Sequence, residues 1–239
     1  MIPLDIDRLR RAFPTRTIHY YTSIDSTMTA AARRPIGDIV LAEEQTAGQG
    51  RHGHSWHSAP GDGIYCSLVL PQSPLLTLAL GLATHTAIFE STGLVCDLRW
   101  PNDLMLADRK VAGILVQAAG HHAIAGIGIN VNHTAFPEDV NTLATSLRLA
   151  AGRPLPREEI LLALIPAIDT LVPQDKSAIL ASFIHLSSYA SGRRVQVQQP
   201  EGILEGTTVG LDPDGFLIVR RDDGTDTLIV AGGVRAARS

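Results

Sequence analysis

Gly48-Gln49-Gly50-Arg51-His52-Gly53 has the spacing G-x-G-x-x-G, and its surroundings decide the fold. A dinucleotide-binding turn of that spacing opens a helix and is followed by an acid about 20 residues later. Here Ser55-Trp56-His57-Ser58-Ala59-Pro60-Gly61 follows, which cannot be a helix, and residues 64–74 hold no carboxylate. The Rossmann reading fails. Residues 45–62, rich in Gly, His, Ser and Pro, show no period of 2 or 3.6 and read as a long functional or mobile loop. Three glycines free backbone N–H groups and Arg51 adds a forked guanidinium, a set that suits phosphate or carboxylate oxygens. The plainer alternative is a mobile loop with a solvated arginine.

Outward from the loop the chain alternates strands and helices. Ile18–Thr22 and Ile39–Glu43 read as strands, with Ser26 capping a helix between them. Beyond it, Gly63–Leu70 is a strand and Leu75–Ser91 a buried helix ended by Gly93. Strands at Val95–Trp100, Leu104–Ala107, Lys110–Ala119 and His122–Val131 follow, with turn signals at Asp108-Arg109 and Gly120-His121. Helices are expected at Arg157–Leu171, kinked at Pro166, and at Lys176–Ser188. From Gly192 the signal is all strand: Arg194–Gln198, Ile203–Val209, Phe216–Arg220 and Leu228–Val230. Turns at Pro200-Glu201-Gly202, Asp212-Pro213-Asp214-Gly215 and Asp222-Asp223-Gly224 separate these strands, which make a small barrel.

The 239 residues suffice for one substantial core plus a small second domain, placed at 1–189 and 190–239. A net charge of −4, with no basic run longer than short dyads such as Arg10-Arg11, Arg33-Arg34 and Arg193-Arg194, argues against nucleic-acid binding. Cys66 and Cys96 sit in apolar runs and read as reduced core thiols. The acidic start, Met1 to Asp7, is not a secretory signal, and the longest apolar window is too short and too interrupted for a membrane span. A cytoplasmic protein, monomer or homodimer, without a membrane partner, is expected.

Arg99-Trp100-Pro101-Asn102-Asp103 ends one strand and opens the next, and Lys110-Val111-Ala112-Gly113-Ile114-Leu115 lies beyond the turn. Lys110 begins an otherwise apolar strand. It either snorkels to solvent or, beside Gly113 and an asparagine-bearing turn, holds a carboxylate. In Gly126-Ile127-Gly128-Ile129-Asn130 the glycines share a strand face and invite close approach of a ligand or another backbone. Asn130, at its end, has the donor and acceptor to read a purine edge. His52, His54 and His57 lack the rigid partners of a zinc site, and no protein metal ligand is assigned.

Asp25-Ser26-Thr27, the run Ala42 to Trp56, Trp100-Pro101-Asn102-Asp103, Arg109 to Leu115 and Gly128-Ile129-Asn130 occur in the order and spacing of biotin protein ligases, and the chain resembles that family over nearly its whole length. The resemblance implies an α/β (α+β) catalytic domain with a mixed sheet, similar to class II aminoacyl-tRNA synthetases and lipoate ligases, followed by an SH3-like barrel. It implies that Ser26, Thr27 and Gln45 contact the biotin rings, that Gly48, Gln49, Gly50 and Arg51 cover the valeryl chain and activated carboxyl, and that Lys110, beside Gly113, binds the carboxyl region. Asn102 and Asn130 are expected near the adenine, with Arg51 and Trp56 completing the ATP side; Trp56 either shields the site or anchors the loop. Met28, Gln49, His54 and Arg99 depart from the commonest family pattern, leaving fewer permanent charges in the loop.

The implied chemistry uses ATP and biotin as substrates with Mg2+. The biotin carboxylate attacks the α-phosphorus, pyrophosphate leaves, and a lysine of the biotin carboxyl carrier protein of a carboxylase displaces AMP. A lipoate ligase is the nearest rival. A biotin-responsive repressor is a second, disfavoured because about 17 residues precede the first strand; a non-catalytic biotin-binding module is the third.

Overall fold

The computed structural model describes residues 3–199 and 202–237, so Pro200 and Glu201 of one expected turn, and Met1 and Ile2 of the acidic start, lie outside the described residues. In chain order the elements are α1 (Ile6–Ala12), β1 (Ile18–Tyr21), α2 (Thr27–Ala31), β2 (Ile39–Ala42), β3 (Gly63–Pro71), α3 (Leu76–Thr92), β4 (Asp97–Arg99), β5 (Asp103–Leu106), β6 (Arg109–Ala119), β7 (His122–Asn130), α4 (Leu147–Ala151), α5 (Arg157–Leu171), α6 (Lys176–His185), β8 (Ser191–Gln199), β9 (Gly202–Leu211), β10 (Leu217–Arg220), β11 (Asp226–Ile229) and β12 (Val234–Ala236).

The first seven strands form one mixed sheet in the order β1-β2-β3-β7-β6-β5-β4, with only β1 and β2 parallel. Every residue of β2, and of β3 up to Leu70, is buried, because side chains on both sheet faces are covered. Helix α3 is apolar all round for the same reason: it lies between the sheet and α5. It ends where Gly93 takes φ 75° and donates its N–H to the Phe89 carbonyl. Helix α5 continues through Pro166.

A buried ion pair fastens α5 to the sheet. Arg157 donates to Glu43 Oε2 at 2.7 Å, while Leu4 N–H (2.7 Å) and the Tyr20 hydroxyl (2.9 Å) fill Glu43 Oε1. Burial pushes the Glu43 carboxyl up, but the Arg157 guanidinium and the other donors more than offset it and hold it below the usual range. Tyr20, half-buried and donating to that carboxylate, is pushed up to about 12. Such a pair is tolerable inside because every oxygen is satisfied.

The last five strands make an antiparallel sheet in the order β11-β10-β9-β8-β12. Val195, Val197, Leu217, Val219, Ile229 and Val234 point into its interior. The turn Asp212–Gly215 lies against Leu78 of α3, and the Gly215 carbonyl accepts from the indole N–H of Trp100, between β4 and β5, at 2.8 Å. Among the described residues no helix is long and apolar enough to cross a membrane.

Three elements go beyond the sequence expectations: α1, capped by the Asp5 carboxylate on Arg8 N–H, the short α4, and β12. The β5–β6 turn is also corrected by one residue. Leu106 pairs with Arg109, so the left-handed residues are Ala107 (φ 48°) and Asp108 (φ 57°), not Asp108-Arg109.

Candidate active site

The floor of the site is the glycine face of β6 and β7. Gly113 and Gly128 are directly paired across the two strands. A Cβ on Gly113 would lie 2.9 Å from the Trp56 ring, and one on Gly128 would run into the same indole. A Cβ on Gly126 would lie 2.6 Å from Met28 Sδ. The close approach expected of a ligand or backbone is therefore made, here, by the side chains of Trp56 and Met28.

The loop over this floor has more order than its composition suggested. Trp56 N–H donates to the Gly48 carbonyl at 2.8 Å, Gly50 N–H to the His54 carbonyl at 2.7 Å, and Gln49 faces Ser55 between them. It is a narrow antiparallel excursion, tipped by a single 3-10 turn over Arg51–Gly53 in which His52 (φ 55°) and Gly53 (φ 76°) are left-handed. Composition could not reveal this, because every rung is a backbone hydrogen bond.

From that tip Arg51 reaches inward and donates to Asn102 Oδ1 at 2.9 Å; Asn102 Nδ2 donates in turn to the Ile114 carbonyl at 2.9 Å. Burial lowers the Arg51 pKa, with the Asp103 charge pulling the other way. A guanidinium stays charged at any working pH, so the consequence is a poorly hydrated cation.

Lys110 is not a free snorkelling lysine. Its Nζ lies 2.5 Å from Asp103 Oδ1 and 5.3 Å from the centre of a Trp56 ring. Arg99 grips the other Asp103 oxygen at 2.6 Å. Burial pushes Asp103 up, yet the charges of Lys110 and Arg99 beside it win and hold it below the ordinary carboxylate range. The Lys110 backbone is fixed as well, its N–H on the Leu143 carbonyl at 2.8 Å and its carbonyl on Thr145 N–H at 2.9 Å. One carboxylate shared by two cations leaves net positive charge facing the cavity.

At the opposite end, Thr27 N–H and Oγ1 both donate to Gln45 Oε1, at 2.8 and 3.0 Å. Ser26 is the buried N-cap of α2, accepting from Met28 N–H at 3.3 Å.

Thr27, Gln45, Gln49, Gly50, Arg51, Trp56, Asn102, Lys110 and Gly113 line one cavity, joined there by Met28, Leu115, Gly126 and Gly128. Ser26, Gly48 and Asn130 do not line it. Ser26 backs Thr27, and Gly48 is packed against the Trp56 carbonyl. Asn130 is buried at the end of β7, its Nδ2 committed to the Thr145 carbonyl at 3.0 Å. A second cavity adjoins the first and shares Arg51, Asn102, Ile114 and Leu115 with it. Its far wall is Leu75, Leu78 and Trp100, and its roof Asp214, Gly215 and Phe216 of the C-terminal sheet. Sequence reasoning missed that roof and the Asp103 clamp. The turn at Asp212–Gly215 was visible, but not what it packs against.

Two protein families match this chain: the Biotin/lipoate A/B protein ligase family over residues 20–132 and the Biotin protein ligase C terminal domain over residues 190–234. The biotin–[acetyl-CoA-carboxylase] ligase of Mycobacterium tuberculosis is 33% identical over 227 residues, covering 89% of this chain and 84% of that protein. The Bifunctional ligase/repressor BirA of Bacillus subtilis is 30% identical over 229 residues, which are 86% of this chain and 70% of the relative. Among solved structures, the biotin protein ligase from Aquifex aeolicus in complex with biotin and ATP superposes with a TM-score of 0.82 at 29% identity. That match covers 93% of this chain and 99% of the other.

Proposed function

This chain belongs to the biotin protein ligase family, and from that membership we propose how its two cavities divide the work of joining biotin to ATP and then to a carrier protein. It is an ATP-dependent biotin ligase. The observation that carries our assignment of roles is the position of Arg51 and Asn102, which stand on the shared wall of the two cavities.

We place the biotin rings at the Thr27 and Gln45 end and the carboxylate toward Lys110 and Arg51. The nucleotide lies beyond Asn102, under Trp100 and Phe216. A carboxylate is already nucleophilic at neutral pH, so its attack on the α-phosphorus needs no general base. The protein has to bring two anions together and lower their repulsion. Lys110, with its half-share of Asp103, and the poorly hydrated Arg51 do this by fixed positive charge, and the loop excludes water. Pyrophosphate leaves and biotinyl-5′-AMP remains, to be attacked by a lysine amine of the biotin carboxyl carrier protein of a carboxylase. Residues 1–189 carry this chemistry in our reading, with 190–239 roofing the nucleotide end.

Among the described residues no three acidic, cysteine or histidine side chains gather as a metal site, and Asp103 is already taken by two cations. In our reading Mg2+ arrives on the phosphate oxygens of ATP, and no protein ligand is assigned to it. The two-ended cavity also favours biotin over lipoate, because Thr27 and Gln45 offer hydrogen bonds that a ureido ring uses and a dithiolane does not. Exchange of labelled pyrophosphate into ATP tests the reading. It should require biotin and proceed without any carrier protein; exchange with lipoate and none with biotin would overturn it.

A further inference from the structure

Behind the ring end of the cavity runs a line of side-chain hydrogen bonds whose outer members, Ser58 and Ser67, have no role in the reaction as derived so far. Ser67 Oγ donates to Thr27 Oγ1 at 2.8 Å, and Thr27 Oγ1 donates to Gln45 Oε1. Gln45 Nε2 donates to Ser58 Oγ at 2.9 Å, and Ser58 Oγ donates to the Trp56 carbonyl at 3.1 Å. Ser58 and Ser67 are buried and lie outside the cavity lining, whereas Thr27 and Gln45 line it.

The direction of this line is forced at both ends. The Trp56 carbonyl can only accept, so the Ser58 hydroxyl spends its proton there and offers Gln45 a lone pair. Thr27 N–H can only donate, so it holds the oxygen of the Gln45 amide. Between these two backbone groups Gln45 has a single orientation, with Oε1 on Thr27 and Nε2 on Ser58. The second Nε2 hydrogen is then left for the cavity. Thr27 Oγ1, which accepts from Ser67 and donates to Gln45, keeps one lone pair for the cavity. Gly48 seals the arrangement: a Cβ there would lie 2.6 Å from the Trp56 carbonyl, 2.9 Å from Ser58 Oγ and 3.0 Å from Gln45 Nε2.

We propose that Ser58 is a positioning residue that, together with the Thr27 N–H, fixes the orientation of Gln45, so that the cavity presents one N–H donor beside one hydroxyl acceptor and selects a ligand edge carrying C=O next to N–H. The inference rests on the biotin reading above and deepens it by naming what sets ring selectivity. It also ties that end of the site to the loop, since Ser58 and Gln45 stand at the two feet of the excursion that carries Arg51 and Trp56.

The test is a cycle over protein and ligand. Binding of biotin, and of the diamine analogue in which the ureido carbonyl is absent, is measured by titration calorimetry on the wild-type chain, Ser58→Ala and Ser58→Cys. Ser58→Ala should weaken biotin about three- to tenfold, the loss of one neutral hydrogen bond no longer held in place, and leave the diamine unchanged. Ser58→Cys, which keeps the volume with a weaker acceptor, should fall between, and carries the test if the alanine variant does not fold. Equal weakening of both ligands in either folded variant, or no weakening of biotin, overturns the proposal. Failure of the wild-type chain to bind biotin at all would instead overturn the functional reading beneath it.

Discussion

Arg51 Nη1 donates to Asn102 Oδ1 at 2.9 Å, and this one hydrogen bond closes the wall between the two cavities. Asn102 cannot rotate away, because its own Nδ2 is fixed on the Ile114 carbonyl. The contact joins a loop tip to a sheet, and in the proposed reaction it stands where the two ligands meet.

Removal of that guanidinium should separate making the adenylate from keeping it. Arg51→Gly is expected to retain adenylate formation while biotinyl-5′-AMP escapes and acylates exposed lysines. Wild type and variant are incubated with biotin, ATP and a bystander protein that has no carrier domain. A variant that makes adenylate yet labels the bystander no more than wild type would show that Arg51 does not retain the intermediate.

Lys110→Ala should slow biotin-dependent pyrophosphate exchange roughly ten- to a hundredfold, the cost of one charge-assisted contact of about 1.5–3 kcal/mol. Stability should change little, because Arg99 still neutralises Asp103 at 2.6 Å. A large fall in melting temperature with unchanged exchange would make Lys110 a structural residue only.

Gly128→Ala asks whether the indole belongs over the glycine floor. Its backbone is not left-handed, so alanine strains nothing locally, but the new methyl group meets the Trp56 ring. The chain should fold, the loop should be displaced, and tryptophan emission should shift to the red, since Trp100, the other tryptophan, stays buried. Unshifted emission with normal exchange would mean that the ring has another resting place.

Acid should weaken the fold through His133. Its ring is buried against Phe136 and near His57, Tyr65 and Asp62, with Nδ1 unpartnered. Burial lowers its pKa to about 4, with Asp62 opposing and His57 adding to the shift. The unfolded chain therefore binds that proton first. Its stabilisation is whole above about pH 6.5 and is lost as pH falls toward 4, on the order of 3 kcal/mol in all. Denaturant midpoints of wild type and His133→Asn across pH 7 to 4 measure this. Parallel curves would assign the acid sensitivity to the carboxylates Glu43 and Asp103, whose lowered pKa values move their own loss to lower pH.

The mixed sheet was legible in the sequence wherever burial imposes a pattern. The continuous apolar run of β3, the all-apolar α3 and the glycine face of β7 could each be placed before any coordinates. What escaped was carried by groups that composition does not mark. The loop ladder is backbone on backbone, and α1 spans only seven residues. The Asp103–Lys110 contact depends on a register shift between Leu104 and Met105 that periodicity does not report. Nine of the twelve residues assigned to substrates line one cavity; Ser26, Gly48 and Asn130 are not part of its lining.

The bond from the Trp100 indole to the Gly215 carbonyl bears on how such chains can be recombined. Two family matches suggest two exchangeable modules, yet one module supplies the ceiling of a chamber whose walls belong to the other. A chimera that grafts a foreign C-terminal sheet onto this catalytic half inherits a different tetrapeptide at 212–215, and with it a differently shaped second cavity. Sequence drift in the two halves is therefore expected to be correlated at this seam, where Leu75, Leu78 and Trp100 must keep step with a turn more than a hundred residues downstream.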